Sequence, residues 1–144
     1  MVKKMAAAEA SDKIIVFNGV ERIREIESEY LKILSEYNKL VYKMGYYLKP
    51  KHVVYKKTSM GRVKYVYYGR YWWKLAYDGK RGKTSRVKWI YIGLTRPEGV
   101  PNPPENPLEG LKVRIAGCDV VLDREVYERF KDYFRGLKKA HINS

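Results

Sequence analysis

The sequence contains a single cysteine, Cys118, no glutamine, and only two histidines, His52 and His141. One thiol excludes an internal disulfide framework and a cysteine-built zinc site. The two histidines are far apart in sequence and form no visible ligand cluster, so neither a metal nor a cofactor is expected. No apolar run approaches the roughly 18 residues that read as a membrane span. Met1–Ala10 also lacks the apolar core of a signal peptide. These absences predict a soluble cytoplasmic protein with no membrane partner, associated with a nucleoid or held in a virion. Missing glutamine beside abundant Glu, Lys, Arg and Tyr is the composition of a hyperthermophile, where labile amides are depleted. An archaeon or its virus is the corresponding expectation.

The most informative scarcity is of acid. Between Lys43 and Arg96 stand fifteen Lys and Arg against Asp78 alone, which accounts for the whole formal charge of +14. The flanks are balanced, with seven bases and seven acids in 1–42 and eight of each in 97–144. Nine of the fourteen Tyr and all three Trp fall in the same basic segment. A basic, aromatic tract between neutral flanks is suited to a polyanion with flat rings, which is nucleic acid.

Residues 1–12 are small and polar without periodicity and are expected to form a disordered tail. Lys13–Phe17 offers a short strand or an apolar lead-in, ended by Asn18-Gly19. From Val20 to Met44, the residues Ile23, Ile26, Tyr30, Ile33, Tyr37, Leu40 and Met44 recur at alternating spacings of three and four. This is an amphipathic helix, with Gly45 as its cap. It can lie on a sheet, or it can form a heptad seam. In the second case Ile23, Ile26, Tyr30, Ile33, Tyr37 and Leu40 make the interface of a homodimer.

From His52 the period changes to two. Strands are predicted at Val53–Ser59, Arg62–Tyr68, Arg70–Tyr77 and Arg86–Ile92, with turns at Met60-Gly61 and from Asp78-Gly79. Gly69 alone separates the second and third, so they can be one bent strand. Pro97–Pro107 holds five of the six prolines and reads as a stiff linker. Leu111–Ile115 and Val120–Leu122 suggest a hairpin. A last helix runs from Arg124 to about Arg135, and residues 140–144 are expected to fray. The fold class is α+β: an antiparallel Tyr/Trp-rich sheet packed on a long N-terminal helix, with a C-terminal β-hairpin–helix unit. The divisions are a tail at 1–12, the helix and basic sheet at 13–96, the linker at 97–107, and a small unit at 108–144 on the same core.

Alternation sorts the tract into two faces. Val53, Tyr55, Val63, Tyr65, Tyr67, Tyr71, Trp73, Leu75, Tyr77, Val87, Trp89 and Tyr91 form the expected buried face. The expected solvated face holds Lys56, Arg62, Lys64, Tyr68, Arg70, Trp72, Lys74, Arg86 and Lys88, with Lys80, Arg81 and Lys83 in the loop at its end. These twelve are the candidate nucleic-acid ligands, with Tyr68 and Trp72 as stacking platforms.

Tyr71-Trp72-Trp73-Lys74-Leu75-Ala76-Tyr77-Asp78-Gly79-Lys80, closed by Arg86-Val87-Lys88-Trp89-Ile90-Tyr91-Ile92-Gly93, resembles the aromatic-basic hairpins of integrase arm-site-binding domains. That resemblance implies a three-stranded sheet against one helix that binds the DNA major groove. It covers about residues 71–93 and places DNA ahead of RNA. The family's order differs, since here the long helix precedes the sheet. Two other motifs fail. Tyr91-Ile92-Gly93 resembles half of a GIY-YIG nuclease signature without the other half. Gly79–Thr84 lacks the spacing of a phosphate-binding loop. With no paired carboxylates or Ser-His-Asp set in the tract, the expectation is a non-catalytic DNA-binding protein. The alternatives are a viral or cellular assembly protein that oligomerises through the helix, and an RNA-binding or ribosome-associated protein.

Overall fold

The computed structural model describes residues 12–59, 61–81 and 84–143, without the side chains of 78–81, 84–86 and 143. The expected tail lies outside these except for Asp12, which opens strand β1. The elements are β1 (Asp12–Val16), α1 (Gly19–Lys43), β2 (Tyr46–Thr58), β3 (Gly61–Arg81), β4 (Thr84–Gly93), β5 (Lys112–Ala116), β6 (Asp119–Asp123), α2 (Arg124–Phe130) with a 3-10 turn at Lys131–Phe134, and β7 (Lys139–Asn143). An antiparallel seven-stranded sheet with two helices makes this an α+β fold.

The strand order is β2-β3-β5-β6-β1-β7, and β4 also pairs with β3. β3 is continuous through Gly69 and spans 21 residues. β2 lies along one of its edges. Residues 64–67 of the other edge hold β5, and residues 72–81 hold β4. Between them the chain of the proline segment fills the gap: Tyr68 N–H donates to Leu111 O, and Gly110 N–H donates to Tyr68 O. The stiff linker is therefore packed against the sheet, because Val100 and Asn106 within it are buried. The expected fraying of 140–144 is also corrected over 140–143, Ser144 lying outside the described residues. Lys139–Asn143 completes the sheet by pairing with β1, which would otherwise be a bare edge.

A bulge sets which way the side chains of β2 point. Lys49 pairs with Tyr71 and Lys51 with Tyr68, which shifts the register between the two strands. Pro50 occupies the irregularity, where a missing N–H costs no ladder bond. The carboxamide of Asn106 donates to both Pro50 O and Gly69 O and holds the two strands there. β2 changes parity across the bulge. Leu48 and Lys51 therefore point to the same side.

α1 docks on the sheet through Ile23, Glu27, Tyr30, Leu34, Asn38 and Val41, all buried. Its end is capped as the sequence suggests: Gly45 takes a left-handed φ of 92° that other residues resist. Leu34, Val41 and Tyr30 close over Leu48, Trp72 and Val100. A second, larger cluster joins Ile14, Val16, Val66, Tyr68, Val113 and Val120 to the α2 side chains Val126, Tyr127 and Phe130.

The heptad seam is thereby divided. Ile23 and Tyr30 belong to the intramolecular core, Ile26 and Tyr37 are half-buried, and Ile33 and Leu40 are 58% and 50% exposed. The register that buries is 23-27-30-34-38-41, one position round from the seam, so the six predicted interface residues do not form one free stripe. Ile33→Asp or Leu40→Asp is accordingly expected to change unfolding free energy by no more than about 0.5 kcal/mol, as for other surface positions. Urea titration of each variant checks this.

Candidate nucleic-acid interface

Residues directly opposite in an antiparallel pair share a face. The register places Tyr47 opposite Trp73, Trp73 opposite Tyr91, and Leu75 opposite Trp89. It places Lys49 opposite Tyr71, His52 opposite Tyr67, Tyr67 opposite Lys112, and Tyr65 opposite Arg114. All of these stand on the face away from α1 and α2. The helices cover the other face, through Leu48, Val66, Tyr68 and Trp72.

The covered and open faces are therefore the reverse of the expectation. Trp72 is 0% exposed and Tyr68 is 7% exposed, so neither can stack on a base. The reason is positional. At the middle of β3, under α1, the even positions Val66, Tyr68 and Trp72 are apolar. The other basic even positions of β3 flank that stretch, and only Arg70 falls within it. Arg62, Lys64, Lys74 and Lys88 thus sit on the helix side but at its margins, exposed or half-exposed. Arg70 Nε is 3.0 Å from Glu109 Oε1, an ion pair at the loop rather than a free cation. Lys56 pairs with Val63 and stands on the open face, while Val53 and Tyr55 fall on the helix side because of the bulge. The side chains of Lys80, Arg81, Lys83 and Arg86 lie outside the described residues.

The open face collects rings and cations together. Tyr47 meets Trp89 edge-on at 5.0 Å between centroids, Trp73 meets Trp89 at 6.5 Å, and Trp73 meets Tyr91 at 5.3 Å. His52 tilts against Tyr71 at 5.6 Å and Tyr67 at 6.4 Å. Lys49 Nζ lies 4.7 Å from the Trp73 ring centre and 5.5 Å from that of Trp89. Lys56 lies over Tyr65 at 4.9 Å and Lys112 over Tyr67 at 5.3 Å. Such cation–π contacts let an ammonium group shelter the ring while its charge stays in water. Lys13 on the same face is tied to Asp123 at 2.5 Å.

A groove of about 710 Å³ runs along the bulge, lined by Tyr47, Lys49, His52, Tyr71, Trp73 and Tyr91 among others. Burial raises the Tyr71 hydroxyl pKa above its ordinary value, and the neighbouring Tyr91 and Tyr67 hydroxyls add to the shift. Tyr71 therefore stays a neutral donor at physiological pH and brings no negative charge to the groove.

Beneath the bulge, on the covered side, Glu27 is buried with Lys51 Nζ at 3.2 Å from one carboxylate oxygen. The other oxygen has no hydrogen-bond partner among the described residues. Burial, followed by the charge of Glu27, pushes the Tyr68 hydroxyl pKa strongly upward. Burial likewise pushes Tyr30 up to about 12. Lys51 is thus committed to an internal partner, unlike Lys49 two residues earlier. Among the described residues no group of His, Cys, Asp and Glu is placed to hold a metal. No described helix is long and apolar enough to cross a membrane.

No family model, no curated protein and no solved structure matches the chain.

Sequence reasoning misses Tyr47, Lys49, His52, Lys112 and Arg114. Tyr47 and Lys49 precede the predicted start of the first basic strand. Lys112 and Arg114 come from the neutral C-terminal part and join the tract only through the pairing of β5 with β3. A signal exists for the first two: Tyr46–Lys49 already alternates with Leu48.

Proposed function

We propose that this chain is a non-catalytic nucleic-acid-binding protein, with DNA as the leading polymer, that binds through the open face of its sheet. One observation supports this most directly. Lys49, Lys56, Lys112 and Arg114 stand on a face that no described helix covers, among aromatic rings, while Asp123 on that face is already paired to Lys13. Like charges at this density repel one another in the folded state. A phosphate backbone relieves that repulsion and releases its own counterions. The likeness of residues 71–93 to integrase arm-site hairpins is the ground for naming DNA first.

The test is a salt series. Affinity for a fluorescent oligonucleotide is expected to fall steeply between about 50 and 200 mM salt. Replacing Lys49, Lys56, Lys112 and Arg114 with Ser is expected to flatten the slope of log K against log salt by about one unit for each phosphate neutralised by those side chains. The same number of changes at Arg62, Lys64, Lys74 and Lys88 is expected to flatten it less. A flat slope in the unaltered protein would falsify the reading and return the surface to an assembly interface.

A further inference from the structure

We infer that the groove on the open face takes unpaired nucleobases, so that the polymer bound is a single strand. This rests on the nucleic-acid reading above and names the form of the ligand.

Tyr47, Trp73, Trp89 and Tyr91 meet in pairs at interplanar angles of 66°, 64° and 57°. An edge-on contact is not a stack: it spends only the face that receives the edge, and Lys49 lies over Trp73 and Trp89, so the face left clear for a base is chiefly that of Tyr91. Trp89 and Tyr91 are 39% and 48% exposed. A duplex offers such faces only sugar and phosphate, since its bases are already stacked on one another. Covering Trp and Tyr with phosphates removes water from a charged group and gains no stacking. A splayed base covers the same ring at a gain of roughly 1–3 kcal/mol, whatever its identity.

The groove fits this use. Its volume of about 710 Å³ exceeds that of one ring and suits a short run of bases. Lys49 sits over the ring floor, where a phosphate beside a stacked base would lie. Lys56 and Lys112 continue the cations across the same face toward β5, each beside a tyrosine ring. Rings and cations therefore alternate along one path, as in sheet surfaces that track single strands. An anionic membrane could also meet aromatic and basic groups. However, rings packed against one another as a floor do not project singly to enter lipid.

The test uses the full chain and four probes at about 0.1 M salt. These are oligo(dT) and oligo(U) of about 12 nucleotides, a DNA duplex of the same length, and vesicles containing anionic phospholipid. At least one single strand is expected to bind tighter than duplex by about tenfold or more, with quenching of tryptophan emission. Which of the two binds tighter separates DNA from RNA. Tyr91→Ala is expected to weaken single-strand binding about 5- to 100-fold, the equivalent of one stacked base, and Tyr91→Phe to restore it. Tyr55→Ala, at an equally exposed tyrosine on the helix side, is expected to change it less than about twofold. If duplex binds at least as tightly and Tyr91→Ala is indifferent, the inference fails while the nucleic-acid reading stands. If no oligonucleotide binds, or vesicles alone do, both fail.

Discussion

Trp72→Ala is expected to destabilise the fold by about 3–5 kcal/mol, the usual cost of emptying a large aromatic site in a packed core. Trp72 is fully buried between Leu48 of β2, Val100 of the proline segment, and Tyr30, Leu34 and Val41 of α1. Its removal opens a void touched by three elements at once. Trp72→Phe is expected to cost clearly less. It retains a ring and deletes an indole N–H that has no acceptor among the described residues. Chemical denaturation followed by far-ultraviolet circular dichroism measures both. A loss below about 1 kcal/mol for the alanine variant would place Trp72 outside the core.

Asn38→Leu is expected to cost roughly 2–5 kcal/mol although it puts an apolar side chain into an apolar site. Asn38 is buried on α1, and its carboxamide makes two bonds to one residue. Nδ2 donates to Leu48 O at 2.9 Å, and Oδ1 accepts from Leu48 N–H at 3.0 Å. β2 is an outer strand, so these outward backbone groups have no neighbouring strand. Leucine has the same branched shape, though it is bulkier, and would leave both groups buried and unpaired, at about 1–3 kcal/mol each. The same contact blunts the sheet edge at the point where another chain could add to it. Thermal unfolding of Asn38→Leu beside Asn38→Asp, which keeps an acceptor for the Leu48 N–H, separates the two bonds.

Periodicity makes most elements legible. The three-and-four spacing from Ile23 to Met44 places α1 to within a residue, and alternation from Arg62 to Tyr77 gives β3 the correct two faces. What alternation cannot supply is which face a helix covers. By composition, the face with more Tyr and Trp resembles a core. The face that buries is instead the one whose apolar residues, Val66, Tyr68 and Trp72, sit opposite Leu48 and beside Val113 at the crossing of several strands. Charge misleads for the same reason. Arg62 and Lys74 share a parity with Trp72 but not a place along the strand. Glu27 and Asn38 are equally hidden, since each is polar in a helix sequence and buried only because Lys51 and Leu48 lie across from it. β7 carries only a short signal, Ala140 and Ile142 alternating with Lys139, His141 and Asn143 over five residues, and it becomes a strand where β1 has a free edge.

β1 also bears on how the molecule comes into being. It lies between β6 and β7, with Ile14 opposite Leu122 and Asp12 opposite Asn143. The first strand described therefore finds both neighbours more than a hundred residues later in the chain. A nascent chain halted at residue 110 can form α1 and the β2–β3–β4 hairpins, whose contacts are local, but β1 has nothing to pair with. Closing so long a loop is entropically slow. The aromatic platform would thus be assembled on the ribosome before the sheet that steadies it is closed. During that interval its exposed rings are a hazard for self-association.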